Sequence, residues 1–312
     1  MKWQKKGLIC SNETIDLPWY KRNTMLPLPY LIDSNCLRVF VTMCDEQNVG
    51  RIGYVDVDPE NPSVILGYSK NPILDIGEPG SFSDSGVLTS SLLNVGESIY
   101  LYYSAYQKLG NKIPYSIFSG VAVSNDNGSS FTNITKVPIL DRVDDELFVR
   151  AAPYVFKRGG DYQVFYVGST RDGWVDDKGK LLPTYEIKQF VTSSCENWCG
   201  KVGRVAIPIS KSAGEFGLSK VSLWFEDEKY KVLYAIRSFS NGYRLGYAES
   251  FDGVHFERKD DQVGIDVSDT GWDSEMITFP ERYSYQGRTF LFYCGNHYGM
   301  AGMGYAELIN KD

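Results

Sequence analysis

Residues 274–296 read SEMITFPERYSYQGRTFLFYCGN, in which a polar turn, YQGR, separates an apolar run from a second run rich in Tyr and Phe. Glycine and charged residues between two apolar runs are typical of a β-hairpin. Four other segments repeat this pattern: LPLPYLIDSNCLRVFVTMCD (26–45), SGVLTSSLLNVGESIYLYYSAY (85–106), RAAPYVFKRGGDYQVFYVGST (150–170) and LSKVSLWFEDEKYKVLYAIRSF (218–239). Repetition of one hairpin along the whole chain indicates a repeat architecture.

A third apolar run follows most of these hairpins. It reads GRIGYVDVD from Gly50, FSGVAVSNDNGSSF from Phe118, YRLGYAESFDGVHF from Tyr243 and GMGYAEL from Gly302, with a weaker form, IKQFVTSSCENW, from Ile187. Two of these runs end in an Asn-Gly or Asp-Gly turn followed by Phe, which predicts a return into a fourth, outer strand.

Radially repeated four-stranded units describe a β-propeller, which protects its sheet edges by arranging blades around an axis. We therefore predict an all-β fold, a five-bladed β-propeller with four-stranded antiparallel blades around a central channel. The prediction is one domain over residues 1–312, with blades that start near residues 22, 84, 150, 218 and 273. A two-sheet sandwich is the alternative, but it explains the short strands and not their repetition.

Composition narrows the function classes. The chain has 312 residues, 43% of them hydrophobic, and a net charge of -7 with Lys and Arg scattered, so we expect neither a nucleic-acid nor a membrane partner. No apolar stretch reaches the length of a signal-peptide core or a membrane span, and the six cysteines lie mostly in strand-like runs. These features favour a cytoplasmic location. Cys195 and Cys199 lack a second ligand pair, so no metal and no cofactor are predicted.

The first strand of each propeller blade lines the channel, so polar residues at the starts of these strands converge on one end of the axis. The ends of the second strands should face the same rim. The predicted site residues are Arg22, Asn23, Asp84, Arg150, Lys220, Asp273 and Glu275 from the strand starts, and Tyr106, Arg171, Arg237, Asn296 and His297 from the ends of second strands.

Two of these carboxylates, Asp84 and Glu275, are the predicted catalytic pair, because charged groups seldom remain in a channel unless they are paired or functional. Alternatives stay open for several of the residues. Asp84 and Asp273 suit turn capping as well, and the arginines suit ion pairs with the acids. The acidic segment 144–146 suits a solvated loop, although one of its members could reach the pocket.

The run SDSGV with Gly-Ser-Phe before it, the turn GYAESFDGVHF, and GWDSEM followed by YCGNHYGMAGMGYA resemble the five-bladed, glycoside hydrolase-like propeller proteins related to families 43 and 32 and found among bacterial polysaccharide genes. The resemblance spans Lys21 to the GYAEL that starts at Gly304. It implies a base on the first blade, a second carboxylate that orients and tunes, and a general acid. Asp84 matches the second-blade carboxylate, whereas KRNT at residues 21–24 stands where the first-blade aspartate would be.

The predicted function is a glycosidase that acts on a sugar linkage in surface polysaccharide metabolism. An inverting enzyme needs an acid and a base roughly 6.5 to 9.5 Å apart, roles assigned here to Glu275 and Asp84 in exchangeable order. The arginines favour an acidic sugar, a phosphorylated sugar or a sugar nucleotide as ligand. Glycosyl transfer or phosphorolysis on a phosphate-bearing donor, and a non-catalytic carbohydrate-binding propeller, are the alternatives.

Overall fold

The computed structural model describes residues 1–110 and 113–310, and these residues are mainly β-strand. In the described residues the only α-helix is α1 (Asn296–Gly299), and two single 3-10 turns lie at Lys211–Ala213 and Asp260–Gln262. The predicted all-β class is confirmed. No helix in the described part of the chain is long and apolar enough to cross a membrane.

The first two complete sheets are antiparallel and follow chain order. After strand β1 (Lys2–Cys10), the first sheet contains β2 (Thr24–Asp33), β3 (Cys36–Cys44), β4 (Gly50–Val57) and β5 (Ile65–Tyr68). The second sheet contains β6 (Val87–Val95), β7 (Ser98–Lys108), β8 (Tyr115–Ser124) and β9 (Thr132–Asn133). Each sheet corresponds to one predicted repeat.

The next two repeats form one continuous eight-stranded sheet. Its first half contains β10 (Arg150–Arg158), β11 (Asp161–Asp177), β12 (Lys180–Thr192) and β13 (Arg204–Ile207). Its second half contains β14 (Glu215–Glu226), β15 (Lys229–Ser238), β16 (Gly242–Ser250) and β17 (Glu257–Arg258). A single parallel pair, Tyr185 opposite Gly217, joins the halves through β12 and β14.

The last sheet combines both ends of the chain. It contains β18 (Thr278–Tyr285), β19 (Arg288–Cys294) and β20 (Met303–Asn310), and β1 pairs antiparallel with β20 as its fourth strand. The predicted repeat does not include β1. Pairing with β1 covers the edge of β20, which would otherwise present unpaired backbone groups.

The innermost strand of every repeat carries the same irregularity. In β2, β6, β10, β14 and β18 the register with the next strand slips by one extra residue, which is a β-bulge. In four of these bulges a non-glycine residue has a left-handed backbone: Leu26 (φ 56°), Ala152 (φ 48°), Lys220 (φ 44°) and Phe279 (φ 56°). A feature repeated at one position in each unit points to one structural role.

The five inner strands contact one another in sequence, and β18 contacts β2, so they form a closed ring. Apolar clusters fill the spaces between neighbouring sheets. One joins the last sheet to the first through Phe292 and Val39, and another joins the first to the second through Phe40 and Leu101. This arrangement is a propeller-like fold in which the ring of inner strands surrounds a central cavity.

Candidate functional site

A cavity of about 410 Å³ lies at one end of this ring and receives side chains from all the sheets. Asn23 reaches it from just before β2, Tyr106 from the end of β7, Tyr185 from β12, Arg237 from the end of β15 and Phe279 from β18. Segments far apart in the chain thus form one pocket, as the repeat pattern predicts. A pocket of this size suits a small organic ligand.

The bulges of the inner strands direct side chains into this cavity. All four bulge residues with a left-handed backbone, Leu26, Ala152, Lys220 and Phe279, line it. Left-handed backbone costs about 1–3 kcal/mol for a residue other than glycine, and such residues cluster at functional sites. Lys220 is the only charged member of this set, so the bulge in β14 places a buried lysine against the cavity.

Five tyrosines dominate the cavity wall: Tyr106, Tyr115, Tyr185, Tyr243 and Tyr298. The rings of Tyr106 and Tyr115 lie 5.1 Å apart, and the hydroxyls of Tyr185 and Tyr243 share a hydrogen bond of 2.8 Å. Burial raises the pKa of Tyr115 to about 12 and also raises the pKa of Tyr106 and of Tyr243. These hydroxyls therefore stay protonated at neutral pH and are able to donate hydrogen bonds to a ligand.

Three cations line the cavity, Lys108, Lys220 and Arg237, and the last two differ in their partners. Lys220 is 1% exposed and forms a salt bridge with the carboxylate of Glu281, which also accepts a hydrogen bond from Ser222. Arg237 instead donates from Nη1 to the hydroxyl of Tyr185 at 3.4 Å, and its guanidinium lies 4.6 Å from the centre of the Phe216 ring. In the described part of the chain, no carboxylate forms a salt bridge with Arg237.

Among the described residues that line the cavity, none is Asp or Glu. Asp84 accepts hydrogen bonds from the backbone N–H of Gly80 (2.9 Å) and from the hydroxyl of Ser85 (2.7 Å). Ser85 lines the cavity, and Asp84, the residue before it in the chain, does not. These contacts are those of a turn-stabilising carboxylate, which was the alternative interpretation of the sequence.

Glu275 lies at the rim, with its side chain 65% exposed, and its Oε2 is 3.3 Å from Nε2 of His297. The predicted strand start at this point is four residues early, since β18 begins only at Thr278. The backbone N–H groups of Glu275 and Met276 donate to the side-chain oxygen of Asn296 instead of a strand partner. Residues 274–277 therefore form a rim loop.

His297 and Tyr298 form a strained turn beside this loop. Both residues have left-handed backbone, with φ of 55° and 59°, in a segment where neither is glycine. The side-chain amide of Asn23 holds the turn by donating to the carbonyls of His297 (2.9 Å) and Tyr298 (3.0 Å). The result is that Tyr298 lines the cavity while His297 points to Glu275 at the rim.

Other predicted site residues make structural contacts outside the cavity lining. Arg150 is fully buried and pairs with Glu146, whose carboxylate also binds Lys188. The interpretation of segment 144–146 as a solvated loop is thus wrong for Glu146, which is 1% exposed because it neutralises two cations. Asp273 is buried and accepts from Lys5 (2.7 Å) and from the hydroxyl of Tyr293 (2.9 Å).

The remaining two predicted arginines also lie away from the cavity lining. Arg22 donates to the sulfur of Met300 at 3.7 Å. Arg171 lines a separate surface groove between β11, β12 and the 3-10 turn at Lys211–Ala213. Of the twelve predicted site residues, the structure therefore brings Asn23, Tyr106, Lys220 and Arg237 together in the cavity, and it places Glu275, Asn296 and His297 at its rim.

Five further residues line the cavity that were absent from the predicted site: Tyr115, Tyr185, Tyr243, Tyr298 and Ser219. A signal for two of them was present. The start of a third strand lies opposite the end of the second strand, so Lys108 faces Tyr115 and Arg237 faces Tyr243. Extending the rule of strand ends to third strands would have found Tyr115 and Tyr243.

No protein-family model matches the chain. Several solved structures share its fold. One, described as "The GH130 family of mannoside phosphorylases contains glycoside hydrolases that target beta-1,2 mannosidic linkages in Candida mannan", has a TM-score of 0.72 at 14% identity over 99% of this chain and 94% of that one. A putative glycosidase from Bacteroides thetaiotaomicron VPI-5482 has a TM-score of 0.71 at 13% identity, covering 99% and 97%.

A thermostable family-43 glycoside hydrolase has a TM-score of 0.67 at 15% identity, covering 93% of this chain and 89% of that one. The predicted resemblance to glycoside hydrolase propellers is thereby confirmed for the fold. In sequence, the chain is 30% identical to "Uncharacterized protein MT1551" and to "Uncharacterized protein Rv1502" from two strains of Mycobacterium tuberculosis, over 99% of this chain and the whole of each relative. The chain therefore belongs to the same protein family as these two mycobacterial proteins, and it shares its fold with glycoside hydrolases.

Proposed function

We propose that the protein is a carbohydrate-active enzyme that cleaves a glycosidic linkage of a sugar bearing an acidic or phosphate group. The single observation that carries this proposal is the cavity of about 410 Å³, in which the rings and hydroxyls of five tyrosines surround the guanidinium of Arg237. Aromatic faces and hydroxyl groups are complementary to the C–H faces and hydroxyl groups of a sugar ring. Arg237 is complementary to an oxyanion.

The proposal includes a five-bladed arrangement in one domain over residues 1–312. The repeated bulge in the five inner strands supports it, because each bulge lies at the same place in its repeat. On this view the eight-stranded sheet is two blades joined by the pair Tyr185 and Gly217. All six cysteines are free thiols, which supports a cytoplasmic setting for the activity.

Glu275 is the proposed general acid and Asp84 the proposed base. Glu275 lies at the rim beside His297, where a leaving group would emerge from the cavity. Asp84 adjoins Ser85, which lines the cavity, and its carboxylate accepts a hydrogen bond from the Ser85 hydroxyl. Hydrolysis requires both groups, because one protonates the leaving oxygen while the other activates water.

Phosphorolysis is the second candidate, and a specific observation favours it. The described cavity lining contains Lys108, Lys220 and Arg237 but no carboxylate. When phosphate is the nucleophile, it attacks the anomeric carbon without a general base, so one acid at the rim suffices. The relative described above as belonging to a family of mannoside phosphorylases and hydrolases has this fold, which is compatible with either chemistry.

The test is a mass-spectrometric turnover screen against paired panels of neutral, acidic and phosphorylated oligosaccharides, each with and without inorganic phosphate. Wild type is compared with Glu275→Gln and Asp84→Asn. Glu97→Gln is the matched control. Glu97 is exposed in the hairpin turn between β6 and β7, whereas the part of β6 that reaches the cavity wall, at Leu88, lies at the opposite end of the strand.

Free sugar that depends on both carboxylates supports hydrolysis. A sugar phosphate formed only with added phosphate, and lost in Glu275→Gln but not in Asp84→Asn, supports phosphorolysis. Ligand binding without turnover in any panel overturns the catalytic proposal and makes the protein a carbohydrate-binding propeller. Unchanged turnover in both variants overturns the assignment of the two carboxylates.

A further inference from the structure

We infer that the ionic group of the ligand is a single carboxylate, as in a uronic acid, and that Arg237 and Ser219 bind it. This inference rests on the proposed function for the sugar part of the ligand. The inference goes beyond that proposal because it selects a carboxylate over a phosphate as the ionic group and assigns the residues that bind this group.

The first step is the charge of the cavity. Lys220 is neutralised by Glu281, and the two side chains are 1% and 11% exposed, so this pair contributes no net charge. Lys108 lines the cavity at the exposed end of β7, where solvent screens it. Arg237 is thus the only cation in the described interior of the cavity without a carboxylate partner.

The second step is the hydrogen-bonding capacity of Arg237. A guanidinium has five N–H donors in a planar fork that matches a carboxylate in two parallel hydrogen bonds. In the described structure Arg237 donates hydrogen bonds to the hydroxyls of Tyr185 and Tyr115, and its guanidinium carbon lies near the rings of Phe216 and Tyr243. Aromatic rings hold the group in place but accept no strong hydrogen bond, so donors remain available to a ligand.

A second polar group, on the strand next to that of Arg237, makes no hydrogen bond. Ser219 lines the cavity, and its hydroxyl oxygen is buried and makes no hydrogen bond within the described residues. A buried hydroxyl without a partner is costly, and it calls for a specific explanation. Ser219 and Arg237 lie on adjacent strands, with Arg237 opposite Gly217, two residues before Ser219. One oxyanion placed over β14 and β15 would satisfy both groups.

Charge matching selects the carboxylate. A carboxylate carries one negative charge at pH 7, equal to the one uncompensated positive charge of the cavity interior. A phosphate monoester carries between about 1.5 and 2 negative charges at this pH, so part of its charge would be buried without a partner. The surrounding tyrosine hydroxyls are neutral donors and do not supply the missing positive charge.

The experiment is isothermal titration calorimetry with three matched probes: glucuronate, glucose and glucose 6-phosphate, repeated with the galacto and manno series. Wild type is compared with Arg237→Met, Arg237→Lys and Ser219→Ala. Arg171→Met is the control, since it removes a cation from the separate surface groove. Thermal melts verify that each variant is folded.

We expect wild type to bind a uronate at least tenfold more tightly than the matched neutral sugar and than the matched sugar phosphate. Arg237→Met should abolish this preference, and Arg237→Lys should retain part of the preference. Ser219→Ala should reduce the affinity for the uronate roughly tenfold. Arg171→Met should change nothing. Tighter binding of the sugar phosphate, or an unchanged uronate preference in Arg237→Met, overturns the inference.

The outcomes separate this inference from the proposed function. Sugar binding or turnover that shows no preference for a uronate, or a uronate preference that is unchanged in Arg237→Met, overturns the carboxylate site and leaves the carbohydrate function standing. Absence of binding and turnover for every sugar overturns both. A uronate preference that depends on Arg237, without cleavage in the turnover screen, supports the carboxylate site and contradicts the enzymatic proposal.

Discussion

The ammonium group of Lys220 and the carboxylate of Glu281 form a salt bridge between β14 and β18, buried directly behind the central cavity. Lys220 belongs to a bulge, and its backbone is left-handed (φ 44°). The ion pair thus stabilises the strained backbone of Lys220 on β14 through its partner Glu281 on the neighbouring inner strand β18. It links the last sheet to its neighbour beside the cavity.

Removing Glu281 from this pair should destabilise the protein strongly. We expect Glu281→Ala to lower the free energy of unfolding by about 3–5 kcal/mol, because Lys220 would be left buried without a counter-charge. Urea denaturation measures the change. Glu78→Ala is the control, since its pair with Lys136 is exposed and should contribute less than about 1 kcal/mol. Equal losses in the two variants would contradict the structural role of the buried pair.

Gly217 permits the close approach of Tyr185 to β14. A Cβ atom at this position would lie 2.5 Å from a ring carbon of Tyr185, so Gly217→Ala should displace that ring from the cavity wall. We expect a loss of about 1–3 kcal/mol in stability from overpacking and weaker binding of cavity ligands.

Gly67→Ala is the matched strand control for this change, because nothing lies within 4 Å of the added Cβ. Calorimetric titration with the bound sugar, together with urea denaturation, checks both effects. Unchanged ligand affinity in Gly217→Ala would show that Tyr185 does not contact the ligand.

Asn23 should control the strained turn at His297 and Tyr298. Asn23→Asp keeps the shape of the side chain but replaces the N–H donors with an oxygen that faces two carbonyls. We expect a loss of about 1–3 kcal/mol in stability and a change in the near-ultraviolet circular dichroism of Tyr298. Asn241→Asp, the same change at an exposed position, is the control. Identical spectra for wild type and Asn23→Asp would contradict this prediction.

Glu307 should contribute to stability in a pH-dependent way. Its hydrogen bond from Arg288 (2.7 Å) lowers the pKa of Glu307 to about 2, and Lys6 on β1 lies 3.0 Å from the other oxygen. A carboxyl group whose folded-state pKa is lowered stabilises the fold fully above its unfolded pKa of 4.5. That contribution is lost as the pH falls from there through about 2.

We therefore expect Glu307→Gln to be less stable than wild type at pH 7, by up to about 1 kcal/mol, and to approach wild type below pH 3. Urea denaturation between pH 2.5 and 7 measures the difference. The ion pair between Lys6 and Glu307 attaches β1 to the last sheet. Backbone amide hydrogen exchange in β1 should therefore be faster in Glu307→Gln than in wild type at pH 7. A constant difference across the pH range would show that the charge of Glu307 is not responsible.

The hairpin repeat was predictable because each strand pair is local in sequence. Alternating apolar runs and polar turns are set by neighbouring residues, and all five hairpins appear in the structure. The third one is longer than predicted, since β11 continues to Asp177, seven residues past the predicted end. The role of β1 was not predictable from the pattern, since its partner β20 lies about three hundred residues away. Pairing across the whole chain leaves no signature in a local window.

The site shows the same division. Asn23, Tyr106, Lys220 and Arg237 line the cavity as their repeat positions predict, because inner strand starts and second-strand ends converge in any radial arrangement. The partners of the charged residues were not found. Arg150 meets Glu146 and Lys220 meets Glu281, whereas Arg237 meets only aromatic and hydroxyl groups, and nothing in their sequence positions separates the three.

The sequence by itself determined the all-β class, the repeated hairpins and the end of the repeats at which polar residues gather, because these follow from local periodicity and turn chemistry. Tertiary structure alone decided which cation in the cavity lacks a counter-charge and which side chains the bulges direct inward. These properties depend on distances between residues brought together by folding, since a charge is neutralised by whichever group lies within a few ångströms and not by its neighbours in the chain.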